Sequence, residues 1–193
     1  MTKRPRTKAS ILNHLEDREA HAVFRRLLAA HRELQPETRQ IARLLLGEVS
    51  FKSVAKDVEQ AVRGLDLDDL GSRAGNHKWG YTSPTEAAWE LLEQTVEPFN
   101  EDLKRRIGLG HDEDALEVCK GIVLGLYRVR DGESDDFLQW VSDGPAKIAS
   151  RAVGTWCAGG NRKRPKAQRK RREFSPDFVT SFVPEWDFLA GRV

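Results

Sequence analysis

Through most of this chain apolar residues return every third or fourth position, with polar and charged residues between them. That period puts the apolar side chains on one face of a helix. The first such segment spans about 11–33 behind Ser10, whose hydroxyl can accept an N–H of the first turn. At ~100° per residue, its Ile11, Leu12, Leu15, Ala22, Val23, Leu27 and Ala30 share an arc of ~160°. Pro36 suits the first turn of a second helix, about 36–48, carrying Ile41, Leu44, Leu45 and Leu46. A third starts at Ser50 or Ser53, ends near Gly64 and aligns Val54, Val58, Ala61 and Val62.

The stretch DLDDLGSRAGNHKWG, residues 66–80, is rich in turn formers and reads as a long loop. SPTE at 83–86 is the strongest local signal: Ser83 as N-cap, Pro84 as first helical residue and Glu86 as capping-box partner. The helix behind it reaches about Ile107, with Ala88, Leu91, Leu92, Val96, Phe99, Leu103 and Ile107 as its stripe. Pro98 lies within it, removes one backbone hydrogen bond and predicts a kink. GLG at 108–110 is a helix end, and Asp112 can cap the next helix, about 113–130. Gly121 and Gly125 in that helix predict a close approach by a neighbouring helix. DGES at 131–134 is a turn with Ser134 as the cap of a short helix bearing Phe137, Leu138, Trp140 and Val141. Gly144-Pro145 breaks it, and a last helix, about 146–157, carries Ile148, Ala149, Ala152, Val153 and Trp156. The only strand candidate is FVTSFV at 178–183, between Pro176 and Pro184.

The expected fold class is therefore all-α: an antiparallel helical bundle or helical-repeat-like stack of about seven helices, followed by a basic C-terminal tail. The expected division is a basic arm at 1–9, a helical domain at 10–157 and a basic and aromatic tail at 158–193.

Charge sharpens that division. The net charge of the 193 residues is only +2, yet Lys3, Arg4, Arg6 and Lys8 stand in the arm without an acid. Arg162, Lys163, Arg164, Lys166, Arg169, Lys170, Arg171 and Arg172 likewise share 161–172 with no acid, while residues 10–160 are acidic in balance. Such asymmetry points to an anionic partner or to arms that fold back on an acidic body. Two cysteines give no secreted disulfide framework. No apolar run approaches a membrane span and no apolar stretch follows the basic start, so a soluble, intracellular, cytoplasmic chain is expected.

Two stretches carry a likeness to a known group. LNHLEDREAHAVFRRLLAAHRELQPETRQIARLL, from Leu12, is followed after a loop by YTSPTEAAWELLEQTVEPFNEDLKRRIGLGHDEDALEVCKGIVLGLYRV, from Tyr81. In leucine spacing and helix order, residues 10–156 resemble the helical regions that accompany bacterial SWIM-type zinc fingers. The resemblance implies a helical interaction domain. The finger itself needs a CxC pair and a later CxH, and Cys119 and Cys157 have no such neighbours. No zinc site and no functional residue carries over.

Few residues point to chemistry. His14, Asp17 and His21 share about 60° of the first helix, as metal ligands could, but on the side away from the apolar stripe. Asp66, Asp68 and Gly71 match three positions of a calcium loop, whose fifth and twelfth positions hold Leu70 and His77. No Ser, His, Asp or Cys order sets a nucleophile apart, so no enzyme, cofactor or metal is expected. Glu86, Glu90, Glu93, Glu97 and Glu101 form a ridge opposite the apolar stripe, either a solvated face or a strip for something basic. Phe174, Phe178, Phe182, Trp186 and Phe188 give the tail more apolar surface than a solvated segment needs. The sequence thus points to a non-enzymatic helical interaction or scaffold protein. Its partner-docking residues would be Phe178, Phe182, Trp186, Phe188, Glu90, Glu93 and Glu97, and its tail would dock on a protein partner or on its own acidic body. The alternative is a nucleic-acid-associated protein whose basic arms bind phosphates without sequence preference.

Overall fold

A computed structural model describes residues 14–47, 49–78, 80–130, 136–159 and 172–190, with backbone alone at 43–46 and 77. Among the described residues the fold is all-α apart from one small hairpin. Its contacts fall into two units, residues 1–48 and 49–193.

The first unit holds α1 (Asp17–Ala30), a 3-10 turn at Arg32–Leu34 and α2 (Gln35–Leu46). The expected cap Ser10 and the stripe residues Ile11 and Leu12 lie outside the described residues, as do the bases of the N-terminal arm. The described helix starts at Asp17, where the Glu16 side chain accepts from the Glu19 N–H and the Glu19 side chain accepts from the Glu16 N–H at 3.1 Å. No residue of α1 is buried. Val23 and Leu27, expected in the core, are exposed.

The second unit contains α3 (Phe51–Arg63), α4 (Leu67–Arg73), β1 (Gly75–His77), β2 (Gly80–Thr82), α5 (Pro84–Leu109), α6 (Asp112–Arg128), α7 (Gly144–Ala158) and α8 (Pro176–Phe182). Two more 3-10 turns lie at Leu138–Val141 and Pro184–Leu189. α6 is the centre, packed against α3, α5 and α7. Its residues 121–126 are buried without interruption, as a helix with apolar side chains on most sides requires. Gly121 and Gly125 admit α3 to this surface. A β-carbon on Gly121 would lie 2.6 Å from Cγ1 of Val54, and one on Gly125 would lie 2.7 Å from the Ala55 carbonyl oxygen.

α5 runs unbroken across Pro98. Ser83 Oγ accepts from the Glu86 N–H at 3.2 Å, and Gly110 ends the helix in the left-handed region at φ 77°. Its expected stripe is buried or, at Phe99 and Ile107, packed against the core. Val54, Val58 and Val62 of the expected α3 stripe and Ile148, Ala149, Ala152, Val153 and Trp156 of α7 likewise join one hydrophobic cluster with α6.

Four segments depart from expectation. Residues 66–80 are a short helix and a strand pair instead of a long loop: Asp66 and Asp69 cap α4 reciprocally, and β1 pairs antiparallel with β2, Asn76 opposite Tyr81. Gly75 and Gly80, at φ 116° and 135°, supply the left-handed backbone that the hairpin uses. Asp112 is the first residue of α6 with His111 as N-cap, and Gly144-Pro145 opens α7 instead of breaking a helix. Residues 178–182 are helical, not a strand. Ser175 Oγ accepts from the Phe178 N–H at 3.3 Å and Pro176 sits in the first turn, so cap chemistry overrides the β-branched composition. The DGES turn and Ser134 lie outside the described residues.

Candidate functional site

Of the eight bases expected to meet an anion, Arg162, Lys163, Arg164, Lys166, Arg169, Lys170 and Arg171 lie outside the described residues. The eighth, Arg172, is held within the chain. Its N–H donates to the Cys157 carbonyl at 3.4 Å, at the end of α7. Its guanidinium lies over the Trp156 ring, 4.3 Å from the centroid, and Nη2 reaches Asp112 Oδ1 at 2.6 Å. The side chain is 17% exposed. Stacking and a charge-assisted bond on one planar group are what arginine does better than lysine. Asp112 opens α6, so the same carboxylate faces the partial positive charge of a helix start and a guanidinium.

This anchor has a topological consequence. Cys157 and Arg172 are in hydrogen-bond contact, so the two ends of the intervening stretch meet although they are fifteen residues apart in sequence. The basic run is tethered at both ends.

Beyond Arg172 the aromatic residues pack into the second unit. Phe174, Phe178, Val179, Val183, Trp186 and Leu189 are buried. Phe51, at the start of α3, receives Phe178 and Phe182 edge-on at centroid distances of 5.6 and 5.2 Å. Tyr127 on α6 receives Trp186 edge-on at 5.2 Å. Arg130 closes that contact, its guanidinium 3.7 Å from the Tyr127 centroid and paired twice with Glu185, Nε to Oε2 at 2.7 Å and Nη2 to Oε1 at 2.9 Å. Phe182 and Phe188 remain 39% exposed. Phe51, Asp112, Tyr127 and Arg130 were not singled out as tail contacts, because partners dozens of positions away leave no local pattern.

The glutamate ridge on α5 is surface. Glu93 pairs with Arg151, whose guanidinium also lies over the Trp89 ring. Lys104 Nζ bridges Glu97 and Glu101 at 3.1 and 2.7 Å. Those bonds raise the Lys104 pKa, and the Lys104 bond is the main cause lowering that of Glu101. Glu86 and Glu90 are exposed.

Residues that echoed metal sites are placed as follows. His14, Asp17 and His21 are exposed, Asp66 caps α4, and among the described residues no group of three His, Cys, Asp or Glu could hold a metal. A cleft of about 570 Å³ is lined by Arg63, Leu65, Asp66, Leu67, Asp68, Asp136 and Phe137. Its size suits a small ligand, but its lining pairs no nucleophile with a base. No described helix is long and apolar enough to cross a membrane. Compared with known proteins, the chain matches no family model, no curated protein and no solved structure.

Proposed function

We propose that this chain is a non-enzymatic helical interaction module that binds a polyanion, the phosphate backbone of a nucleic acid, through the basic run at 161–171. The observation that carries the reading is the anchor at Arg172. It ties the run to the body at both ends and leaves its seven bases, with no acid among them, as the surplus of positive charge on an acidic domain. Of the aromatics that a protein-docking tail would use, Phe178 and Trp186 are spent in the core. The resemblance to helical regions beside SWIM-type zinc fingers points to the same broad role, an interaction domain.

Phosphate neutralisation by seven bases predicts a steep salt dependence. The logarithm of the binding constant should fall against the logarithm of salt with a slope of about −5 to −6, from ~0.7–0.9 per phosphate. Fluorescence anisotropy with single- and double-stranded oligonucleotides reads that slope. Changing Arg162, Lys163, Arg164, Lys166, Arg169, Lys170 and Arg171 to glutamine should abolish binding and leave the helical circular dichroism unchanged. Equal binding by the substituted protein would overturn the reading.

A second reading rests on the half-exposed Phe182 and Phe188. Aromatic rings at a rim are suited to a protein partner. Partner binding that tolerates salt and is lost on Phe182→Ala with Phe188→Ala would favour it.

A further inference from the structure

We propose that α1 is a self-association helix, pairing antiparallel with α1 of a second copy of this chain. Among the residues of the first unit whose side chains are described none is buried. Val23, Phe24 and Leu27 on α1 are 45%, 44% and 45% exposed, and Ile41 on α2 is 49% exposed. α1 has 14 residues, and an isolated helix of about that length is marginal in water. Its apolar face needs a cover to keep the helix formed.

The charge pattern says what the cover is. At ~100° per residue, Ala20, Val23, Phe24, Leu27 and Leu28 span about 140° of one side, and Glu19 and Arg26 lie together just beyond Val23. Glu16, Asp17 and Glu19 stand in the first half of the segment, and Arg25 and Arg26 in the second. The acids of the first turn suit the macrodipole of their own helix. Acids in one half and bases in the other also make the helix complementary to its own reversed copy.

A two-fold axis between Ala22 and Val23 brings residue 19 of one copy level with residue 26 of the other. In an antiparallel pair the same flank of each helix faces its counterpart, so Glu19 meets Arg26 twice, around a seam of Val23, Phe24 and Leu27 from both copies. A self-complementary patch of this kind closes at two subunits. A membrane surface would select basic residues on the flanks, whereas this flank alternates in sign.

One helix pair is at the small end of specific interfaces, so a dimer dissociating in the micromolar range is expected. Sedimentation velocity of the full chain, across a hundredfold range of concentration around that value, reads it directly. Phe24→Glu with Leu27→Glu should leave a monomer throughout. Glu19→Arg alone and Arg26→Glu alone should each weaken the dimer several-fold by opposing like charges, and the two together should pair more tightly than Glu19→Arg alone, which also loses the Glu19 bond to the Glu16 N–H. That rescue separates α1–α1 pairing from burial of the same face elsewhere. A wild-type chain that stays monomeric across the range, or a dimer indifferent to both charge reversals, would overturn the proposal.

Discussion

Gly125 of α6 sits where a methyl group has no room. Its neighbour is the Ala55 carbonyl oxygen, part of a rigid helix backbone, so Gly125→Ala forces α3 and α6 apart instead of turning a side chain aside. Overpacking of this kind costs about 1–3 kcal/mol, measurable by urea titration. Leu92→Ala on α5 acts in the opposite direction, leaving a void at a fully buried site, and should cost about 2–5 kcal/mol. Both positions were legible in the sequence, one from glycine spacing and the other from helical period. Cys119 became informative only with the fold. Burial, and then the neighbouring Cys157, hold its thiol protonated far above the ordinary cysteine range. The unfolded thiol titrates near pH 8.5 with a folded value well above it, so the stability it contributes is complete below about pH 8.5 and is lost as pH rises. Above that point the unfolded state sheds a proton that the native state keeps, and stability should fall by about 1.4 kcal/mol per pH unit from this residue. Denaturant titrations of wild type and Cys119→Ala in alkaline buffers isolate that slope as the difference between them. Equal slopes would mean that Cys119 reaches solvent in the native state.

At the scale of elements, α5 and α8 are written in one code. SPTE opens the first and SPDF the second, each with a capping serine, a first-turn proline and an acid in the first turn. The first is followed by a long 3.6-residue period. The second is followed by FVTSFV, whose aromatic and β-branched residues suit a strand, and in a seven-residue helix too few turns exist for the period to show. α4 was hidden for a related reason: its capping box is Asp66 with Asp69, in a stretch whose glycines and aspartates also describe a turn. Caps are local chemistry and can be read in sequence; burial of a short helix is decided by Phe51 and Tyr127, far away in the chain. Ser175→Ala should therefore cost α8 about 1 kcal/mol, the usual loss of a cap. Trp186→Ala should cost about 3–5 kcal/mol, because its ring is buried edge-on against Tyr127. Hydrogen exchange across 176–189 tests the packing. Slow exchange in the wild type and fast exchange in Trp186→Ala are expected, whereas fast exchange in both would show that this segment is not docked.

At the scale of the molecule, the aromatic segment that follows the charge run belongs to the core. The sequence presents them as one tail, because nothing in a sequence shows that Arg172 returns to the end of α7. Residues 161–171 lie outside the described residues, whereas Phe174, Phe178, Val179, Val183, Trp186 and Leu189 are core. Removing residues 161–193 to test for nucleic-acid binding therefore removes two things at once. It takes away the bases, and it uncovers Phe51 and Tyr127 by stripping side chains each worth about 1.5–3 kcal/mol of burial. Summed over such residues, that loss is comparable with the whole stability of a domain, about 5–15 kcal/mol. The truncated chain should unfold or aggregate, and its failure to bind would say nothing about phosphates. Replacing 161–171 with a Gly/Ser segment of the same length, while keeping Arg172, preserves the loop-closure length and the core. Its thermal midpoint should stay within about 4 °C of wild type, a shift corresponding to less than ~1 kcal/mol for a domain of this size. Truncation should abolish the cooperative transition. A truncated chain that melts like the wild type would show that residues 174–189 are dispensable to the core, and the structural role of the tail would fall.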